Sequence, residues 1–143
     1  MENFSQTNLD DNILKAISEM GFETPTSVQA KTIPHLLNSN TDLIATAQTG
    51  TGKTAAFGLP SIHLTDLKNR ETSTLVLCPT RELCIQIAKD LTKYSKYING
   101  LNILAVYGGS DIRGQIKALN KGAHIVIGTP GRVHDMFRRR YLV

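Results

Sequence analysis

Short apolar stretches that alternate with helical patterns are the feature that most restricts the fold of this chain. Four stretches are short, apolar and bounded by turn residues, as buried strands are: 42–46, 74–78, 102–107 and 124–128. Segments such as "RELCIQIAKDLTKYSKYI" lie between them and repeat apolar residues every three or four positions, which indicates amphipathic helices. Strands alternating with helices predict an α/β fold in which a parallel sheet is flanked by helices.

Two more helices are predicted before the first strand. Apolar residues recur at helical spacing from Leu9 to Met20, and Gly21 ends that pattern. The second helix follows Pro25 and is predicted to take Thr26 or Ser27 as its N-cap. The sequence shows neither an internal repeat nor a linker, so it is expected to form one domain or part of one.

The segment "AQTGTGKT" follows the first predicted strand and leads into a helix. Gly50 and Gly52 allow the tight turn in which successive backbone N–H groups form an anion nest at the helix N-terminus. Lys53 can then reach the β- and γ-phosphates, and the Thr54 hydroxyl can bind Mg²⁺. The strict phosphate-loop pattern has glycine where this chain has Ala47. The alternative is a glycine-rich turn with a structural role only.

An adenine-binding residue is predicted in the segment "GFETPTSVQ", upstream of the phosphate loop. The amide of Gln29 both donates and accepts hydrogen bonds, as pairing with the N6–H and N7 edge of adenine requires. Phe22 offers a ring that can stack on the base. The alternative is a capped helix with Phe22 in the core.

Three turn segments follow the later predicted strands, where the carboxyl edge of a parallel sheet binds ligands. They are "PTREL" (79–83), "YGG" (107–109) and "TPGR" (129–132). The first and third offer a hydroxyl, helix N-terminal amides and an arginine, and the second offers bare backbone, which suits contact with a phosphate backbone. Each segment alone fits an ordinary turn, but three on one edge favour a nucleic-acid surface.

The charge distribution agrees with that surface. The net charge is +4, but residues 1–70 hold five basic and seven acidic side chains, whereas residues 71–143 hold eleven and five. A basic half can neutralise the phosphates of a polyanion. An ordinary solvated basic surface is the alternative.

The remaining features predict a cytoplasmic protein without a membrane segment. The N-terminal "MENFSQTNLDDN" is polar and acidic, unlike a secretory signal, and no apolar run is long enough to span a bilayer. The spacing of Cys78 and Cys84 fits neither a metal site nor a disulfide framework, which predicts two buried thiols in a reducing compartment.

Taken together and in order, these segments resemble the first RecA-like domain of DEAD-box RNA helicases, and the bacterial cold-shock type most closely. Phe4 matches the upstream aromatic, "GFETPTSVQ" the Q motif and "AQTGTGKT" motif I, in which the family normally has alanine at the position of Ala47. "PTREL" matches motif Ia, Gly108-Gly109 the GG element and "TPGR" motif Ib. The resemblance implies a RecA-like P-loop NTPase fold, with a Q-motif region at 1–30 and the N-terminal part of the ATP-binding domain at 31–143.

By this resemblance, Gln29 binds adenine, Phe22 stacks against it, Lys53 and Thr54 take part in catalysis, and Thr54 holds Mg²⁺ through ATP. The other residues implied in nucleotide binding are Ala47, Gln48, Thr49, Gly50, Thr51 and Gly52. Those implied in RNA binding are Pro79, Thr80, Arg81, Gly108, Gly109, Thr129, Pro130, Gly131 and Arg132. The implied ligands are ATP, Mg²⁺ and RNA held through its backbone irrespective of sequence.

The resemblance implies an ATP-dependent RNA helicase in which this chain is the N-terminal part. The Asp-Glu-Ala-Asp motif, the Ser-Ala-Thr motif and the second RecA-like domain with its arginine finger are expected beyond Val143. The chain alone is therefore expected to be inactive. One alternative is a non-catalytic fragment that binds nucleotide or RNA. A small-molecule P-loop kinase is disfavoured because it would not need Gln29, "PTREL" and "TPGR" together.

Overall fold

The computed structural model describes residues 3–143, which form two compact units. The first unit combines the chain up to Leu64 with Lys93–Asn99. The second combines Thr65–Thr92 with Gly100–Val143. The division expected from the motifs, into a Q-motif region at 1–30 and the N-terminal part of an ATP-binding domain at 31–143, stays a prediction.

The first unit is helical. A short 3-10 helix spans Phe4–Thr7, and the α-helices are α1 (Asp11–Glu19), α2 (Ser27–Asn38) and α3 (Lys53–His63). The Asp10 carboxylate accepts the Asn12 N–H at 2.8 Å and caps α1. Of the two predicted candidates, Thr26 rather than Ser27 caps α2, because the Thr26 hydroxyl accepts the Gln29 N–H at 3.4 Å. The predicted helix after the phosphate loop is α3, which begins at Lys53.

The second unit contains the parallel sheet. Its strands are β1 (Thr74–Leu77), β2 (Ile103–Val106) and β3 (Ile125–Gly128). Its helices are α4 (Arg81–Tyr94), α5 (Ile112–Lys121) and α6 (Pro130–Arg138). The last two residues of α4 belong to the first unit. The strand order is β1-β3-β2, and both pairings are parallel. All four residues of β3 are buried, as in the central strand of a sheet covered on both faces. The predicted α/β fold with a parallel sheet flanked by helices is confirmed.

The prediction of a strand at 42–46 is wrong. This segment is in no strand of the described chain, and its side chains are exposed, with Leu43 at 39% and Ile44 at 94%. A strand forms only where a neighbour pairs with its N–H and C=O groups, whereas the three observed strands pair only with one another. An apolar sequence alone does not supply that partner.

A hydrophobic cluster of the second unit joins the sheet to its helices. Its buried members are Val106, Ala123, Val126, Val133, Met136 and Leu142. Gly128 ends β3 beside this cluster. A Cβ added at Gly128 would overlap Val133 Cγ2 and would lie 2.7 Å from Val106 Cγ2 and 3.1 Å from the Val106 carbonyl oxygen. Glycine is therefore required here by close packing.

Gly128→Ala is expected to lower the free energy of unfolding by about 1–3 kcal/mol, because the added methyl overpacks the contact between β2, β3 and α6. The matched control is Gly114→Ala in α5, where an added Cβ meets no heavy atom within 4 Å. That change should stabilise by about 0.5–1 kcal/mol, since alanine costs less entropy than glycine in a helix. Thermal melts of both variants beside the parent protein test this. Equal melting temperatures for the two variants would contradict the packing argument.

The prediction of two unpaired thiols is also wrong. Cys78 and Cys84 are buried, as predicted, but their sulfur atoms are joined in a disulfide. The turn from β1 into α4 brings their Cα atoms to 6.2 Å, within the usual range for a bridge. Sequence spacing alone could not reveal this approach.

None of the helices found within residues 3–143 combines the length and the apolar character that crossing a bilayer requires.

Candidate nucleotide-binding site and nucleic-acid interface

The segment "AQTGTGKT" forms a tight loop that leads into the N-terminus of α3. Gly50 and Gly52 have φ values of +82° and +80°, in the left-handed region that side chains disfavour. The Thr51 hydroxyl donates to the Gln48 carbonyl oxygen at 2.6 Å and closes the turn. The loop therefore adopts glycine conformations of the kind from which an anion nest is built.

Lys53 and Thr54 occupy the first turn of α3. The Lys53 side chain is exposed, and that of Thr54 is half-buried. The first turn of α3 holds no acidic residue, so the partial positive charge of the helix N-terminus is not neutralised from within the helix. The cation, the hydroxyl and the helix end therefore suit a phosphate group.

Gln29 is buried and connects α2 to the phosphate loop. Only 3% of its surface is exposed. Its Oε1 accepts the Thr26 N–H at 3.0 Å, which completes a capping box, and its Nε2 donates to the Gly52 carbonyl oxygen at 3.1 Å. A Cβ added at Gly52 would overlap Nε2 and would lie 3.0 Å from Gln29 Cδ. Glycine is thus required at position 52 both for its φ and for the approach of Gln29.

Phe22 lies in an aromatic cluster of the first unit. Its ring centroid is 5.9 Å from that of Phe4 and 6.0 Å from that of Tyr94. Phe4 and Tyr94 are buried, whereas Phe22 is half-buried. The ring therefore has a packing role, and part of its surface is accessible to a ligand.

The three segments predicted to bind RNA all lie in the second unit. Pro79 and Thr80 follow β1, and the Thr80 hydroxyl accepts the Leu83 N–H at 3.2 Å at the start of α4. Gly108 and Gly109 follow β2, and Gly109 has a φ of +78°. The segment "TPGR" follows β3, and Thr129 occupies the N-cap position of α6 without a capping hydrogen bond from its side chain. Its other three residues, Pro130, Gly131 and Arg132, form the first turn of that helix. The carboxyl ends of the three strands therefore carry the three segments.

Contacts of Tyr107 and Arg132 connect these segments. The Arg81 guanidinium lies 5.0 Å from the centroid of the Tyr107 ring. Arg132 donates through Nη1 to Gln115 Oε1 at 2.8 Å and through Nη2 to the Ser110 carbonyl oxygen at 3.2 Å. Gln115 Nε2 in turn donates to the Tyr107 carbonyl oxygen at 3.2 Å. The segments after β1, β2 and β3 are thus joined through side chains.

Sequence reasoning assigned no role to Gln115 or to the Tyr107 ring. Gln115 is only 8% exposed, although it stands in the amphipathic segment "DIRGQIKALNKG". A polar residue at a buried helix position is a signal that a partner exists, but periodicity does not say which.

Ion pairs neutralise some of the basic groups of the second unit. Hydrogen bonds from the side chain and the backbone of Arg113 hold the pKa of the Asp111 carboxyl below its usual value. Hydrogen bonds from Arg139 and then Arg138 lower the pKa of Asp135 in the same way. The three arginines and Asp111 are exposed, and the Asp135 side chain is 23% exposed, so these surface pairs contribute little to stability. Asp111 thereby balances the charge of Arg113, whereas Arg138 and Arg139 share the one carboxylate of Asp135.

Comparison with known proteins identifies the family. The model of the DEAD/DEAH box helicase family matches residues 26–143. An ATP-dependent RNA helicase CshA from Listeria monocytogenes is 53% identical over 99% of this chain and 27% of its own length. A DEAD box protein from Methanococcus jannaschii has a TM-score of 0.94 and 47% identity, covering the whole of this chain and 39% of that one. Dbp5 from S. cerevisiae, solved with RNA and ADP BeF3, has a TM-score of 0.89 and 29% identity over the whole of this chain and 36% of that one.

The chain spans about a quarter of the length of the curated relatives that it matches. The alignment with the Listeria monocytogenes helicase covers 99% of this chain, so it includes the segments on which the predicted resemblance rested. The resemblance to DEAD-box helicases and the RecA-like fold are confirmed by the family model and by the solved structures. This chain belongs to the DEAD/DEAH box helicase family.

Proposed function

We propose that this chain is the part of an ATP-dependent RNA helicase that holds ATP and one side of the RNA. The observation that carries the proposal is the phosphate loop, whose two left-handed glycines precede the N-terminus of α3 and whose Gly52 is held by Gln29. A loop of this conformation beside Lys53 suits the phosphates of a nucleotide. The relatives named as ATP-dependent RNA helicases support the same reaction.

In the proposed site the loop from Ala47 to Gly52 surrounds the phosphates, with Gln48 and Thr49 exposed for contact. Lys53 supplies the positive charge. Within residues 3–143 no group of three or more His, Cys, Asp or Glu side chains is placed to hold a metal ion. We propose that Mg²⁺ binds through ATP with the Thr54 hydroxyl as one ligand, because a hydroxyl directly after the lysine of a phosphate loop suits this cation. When bound, Mg²⁺ would neutralise phosphate charge. The proposed location is the cytoplasm, which supplies both ATP and RNA.

The proposed adenine contact uses the hydrogen-bonding capacity that Gln29 retains. A glutamine amide has two N–H donors and two acceptor lone pairs. Among the described residues, one lone pair takes the Thr26 N–H and one N–H goes to the Gly52 carbonyl oxygen. One donor and one acceptor are left, which are the two groups that the N7 and N6–H edge of adenine requires. Gln29 would thus join the base, the α2 cap and the phosphate loop.

Experiments on the whole reaction need a protein of full length. We define the completed helicase as a chimera in which this chain replaces the matching residues of the Listeria monocytogenes helicase, to which it is 53% identical. It should hydrolyse ATP in response to RNA and open a short duplex. A completed helicase that folds, binds ATP and RNA, and yet shows neither activity would contradict the proposed function.

In the completed helicase, Gln29→Ala is expected to weaken ATP binding more than GTP binding. Losing a paired polar contact in a desolvated site costs on the order of 1–3 kcal/mol, and only adenine has the matching edge. Dissociation constants for both nucleotides measure the effect. Equal losses would assign Gln29 solely to holding Gly52, because a displaced loop weakens both nucleotides alike. Thr26→Ala, which removes the capping hydroxyl but no adenine contact, is the control for a displaced loop.

The proposed RNA surface depends on Arg81 and Arg132. Both belong to first turns of helices that follow strands of the same sheet, and Arg81 is exposed. Contacts to phosphate and sugar carry little information about the bases, so binding should not depend on sequence. Pro79, Thr80, Gly108, Gly109 and Thr129 would complete the surface with backbone and hydroxyl groups.

Arg81→Ala or Arg132→Ala is expected to lower the affinity for all RNA sequences alike in the completed helicase. Loss of one phosphate contact should flatten the slope of log affinity against log salt by about one unit. The matched control is Arg138→Ala, which removes the same charge from the far end of α6, where Arg138 is 71% exposed and pairs with Asp135. Titrations with two RNA sequences at several salt concentrations measure the slopes. A loss confined to one sequence would indicate base recognition instead.

A further inference from the structure

We propose that Gln115 is a positioning residue that holds Arg132 in place for the RNA backbone. This inference rests on the proposed RNA surface, but it concerns a residue of α5 that the RNA itself need not touch. Gln115 Oε1 accepts Arg132 Nη1 at 2.8 Å, and Gln115 Nε2 donates to the Tyr107 carbonyl oxygen at 3.2 Å. One side chain thus ties the arginine of "TPGR" to the backbone just before the two glycines.

The burial of Gln115 makes its two hydrogen bonds specific. The residue is 8% exposed, so an amide without partners there would not be compensated by water. The two contacts also fix which end of the amide faces which partner, because a guanidinium only donates and a carbonyl only accepts. Leucine would lose both contacts, asparagine would be too short to span them, and glutamate would keep the contact with the guanidinium but could not donate to the carbonyl oxygen.

The consequence for Arg132 is preorganisation. Its Nη1 and Nη2 atoms donate to Gln115 and to the Ser110 carbonyl oxygen, which fixes the plane of the guanidinium. A guanidinium has five N–H donors, so two contacts leave donors for a phosphate. An arginine that is already ordered loses less side-chain entropy when RNA binds.

Tyr107 extends the same arrangement to the segment after β1. Its carbonyl oxygen accepts from Gln115, while its ring lies 5.0 Å from the Arg81 guanidinium. Both proposed phosphate-binding arginines are therefore supported by the residue that precedes Gly108. These two contacts of Tyr107 explain how the three turns can form one surface before RNA binds.

The experiment measures RNA affinity of the completed helicase by titration with a single-stranded RNA, with the active fraction determined separately. Gln115→Asn is expected to weaken binding about threefold to tenfold, the range that corresponds to ordering one arginine side chain. The salt slope should not change, because no phosphate contact is removed. Gln115→Met keeps the length of the side chain but makes neither hydrogen bond, so it should weaken binding by a similar factor.

A double-mutant cycle separates positioning from general structural support. In the Arg132→Ala background, Gln115→Asn should change the affinity by less than about twofold, since its effect is transmitted through Arg132. An undiminished loss in that background would overturn the proposal, and so would parental affinity for Gln115→Asn. If Gln115→Asn does not fold, Gln115→Met decides by the same cycle, because a loss that persists undiminished in the Arg132→Ala background would also overturn the proposal. Failure of Arg132→Ala itself to weaken binding would instead count against the proposed RNA surface.

Discussion

Lys53→Ala in the completed helicase is expected to abolish ATP-dependent unwinding and to leave RNA binding without nucleotide within about twofold of the parent protein. Lys53 is the first residue of α3, and its ammonium group is exposed beside the phosphate loop. Backbone N–H dipoles of the loop cannot replace a full positive charge next to the phosphates. Loss of charged hydrogen bonds worth about 3 kcal/mol corresponds to about 100-fold weaker ATP binding.

The expected selectivity follows from where the residues lie. Lys53 belongs to the first compact unit, whereas Arg81 and Arg132 belong to the second, so the change should not disturb the proposed RNA contacts. Lys15→Ala is the matched control, because it removes the same charge from α1, where the ammonium lies 4.3 Å from the Tyr97 ring centroid. Unwinding assays, ATP titrations and RNA titrations of both variants make the comparison. Unwinding that survives Lys53→Ala would show that the loop has a structural role only.

The isolated 143-residue chain is expected to show no RNA-stimulated ATP hydrolysis and to self-associate as its concentration rises. Its sequence contains no Asp-Glu-Ala-Asp or Ser-Ala-Thr motif, and hydrolysis in P-loop NTPases needs an acidic residue at the metal and a group that positions water. β1 is an edge strand whose Leu75 and Leu77 are 39% and 57% exposed. An apolar edge strand with unpaired backbone groups favours association with other chains.

The comparison uses the isolated chain beside the completed helicase at equal concentrations. Light scattering follows association, thermal melting follows cooperativity, and phosphate release with and without RNA follows hydrolysis. Leu77→Lys places a charge on the exposed edge and should reduce association of the isolated chain without restoring hydrolysis. A monomeric chain that melts cooperatively would contradict the expected association. Turnover stimulated by RNA would contradict the need for the missing motifs.

Local patterns in the sequence were sufficient for most elements of the fold. The apolar periodicity between Arg81 and Tyr94 and the cap at Thr26 depend on interactions within a few residues, and both agree with the structure. The strands predicted at 74–78, 102–107 and 124–128 differ from the observed ones by at most one residue at either end. The left-handed glycines of the phosphate loop were likewise predictable, because the tight turn permits few other residues there.

Contacts between distant residues could not be predicted from these patterns. The segment 42–46 is as apolar as a strand, but only a neighbour in space can pair with its backbone, and no strand of residues 3–143 does so. The pairing of Cys78 with Cys84 depends on the path of the turn between β1 and α4. The spacing of apolar residues indicates which side chains are buried. It does not indicate which strands or cysteines pair, because that depends on which groups approach each other in the folded chain.

The candidate site divides in the same way. The sequence by itself determined the residue types: a glycine-rich loop ending in Lys53 and Thr54, a glutamine at position 29 upstream of it, and arginines placed after strands. Only the tertiary structure decided that Gln29 bonds Gly52 across 23 residues and that Gln115 holds Arg132 against the turn after β2. The physical reason is that a hydrogen bond requires its two atoms to lie within about 3 Å of each other. The order of residues along the chain does not show which atoms come that close when the chain folds.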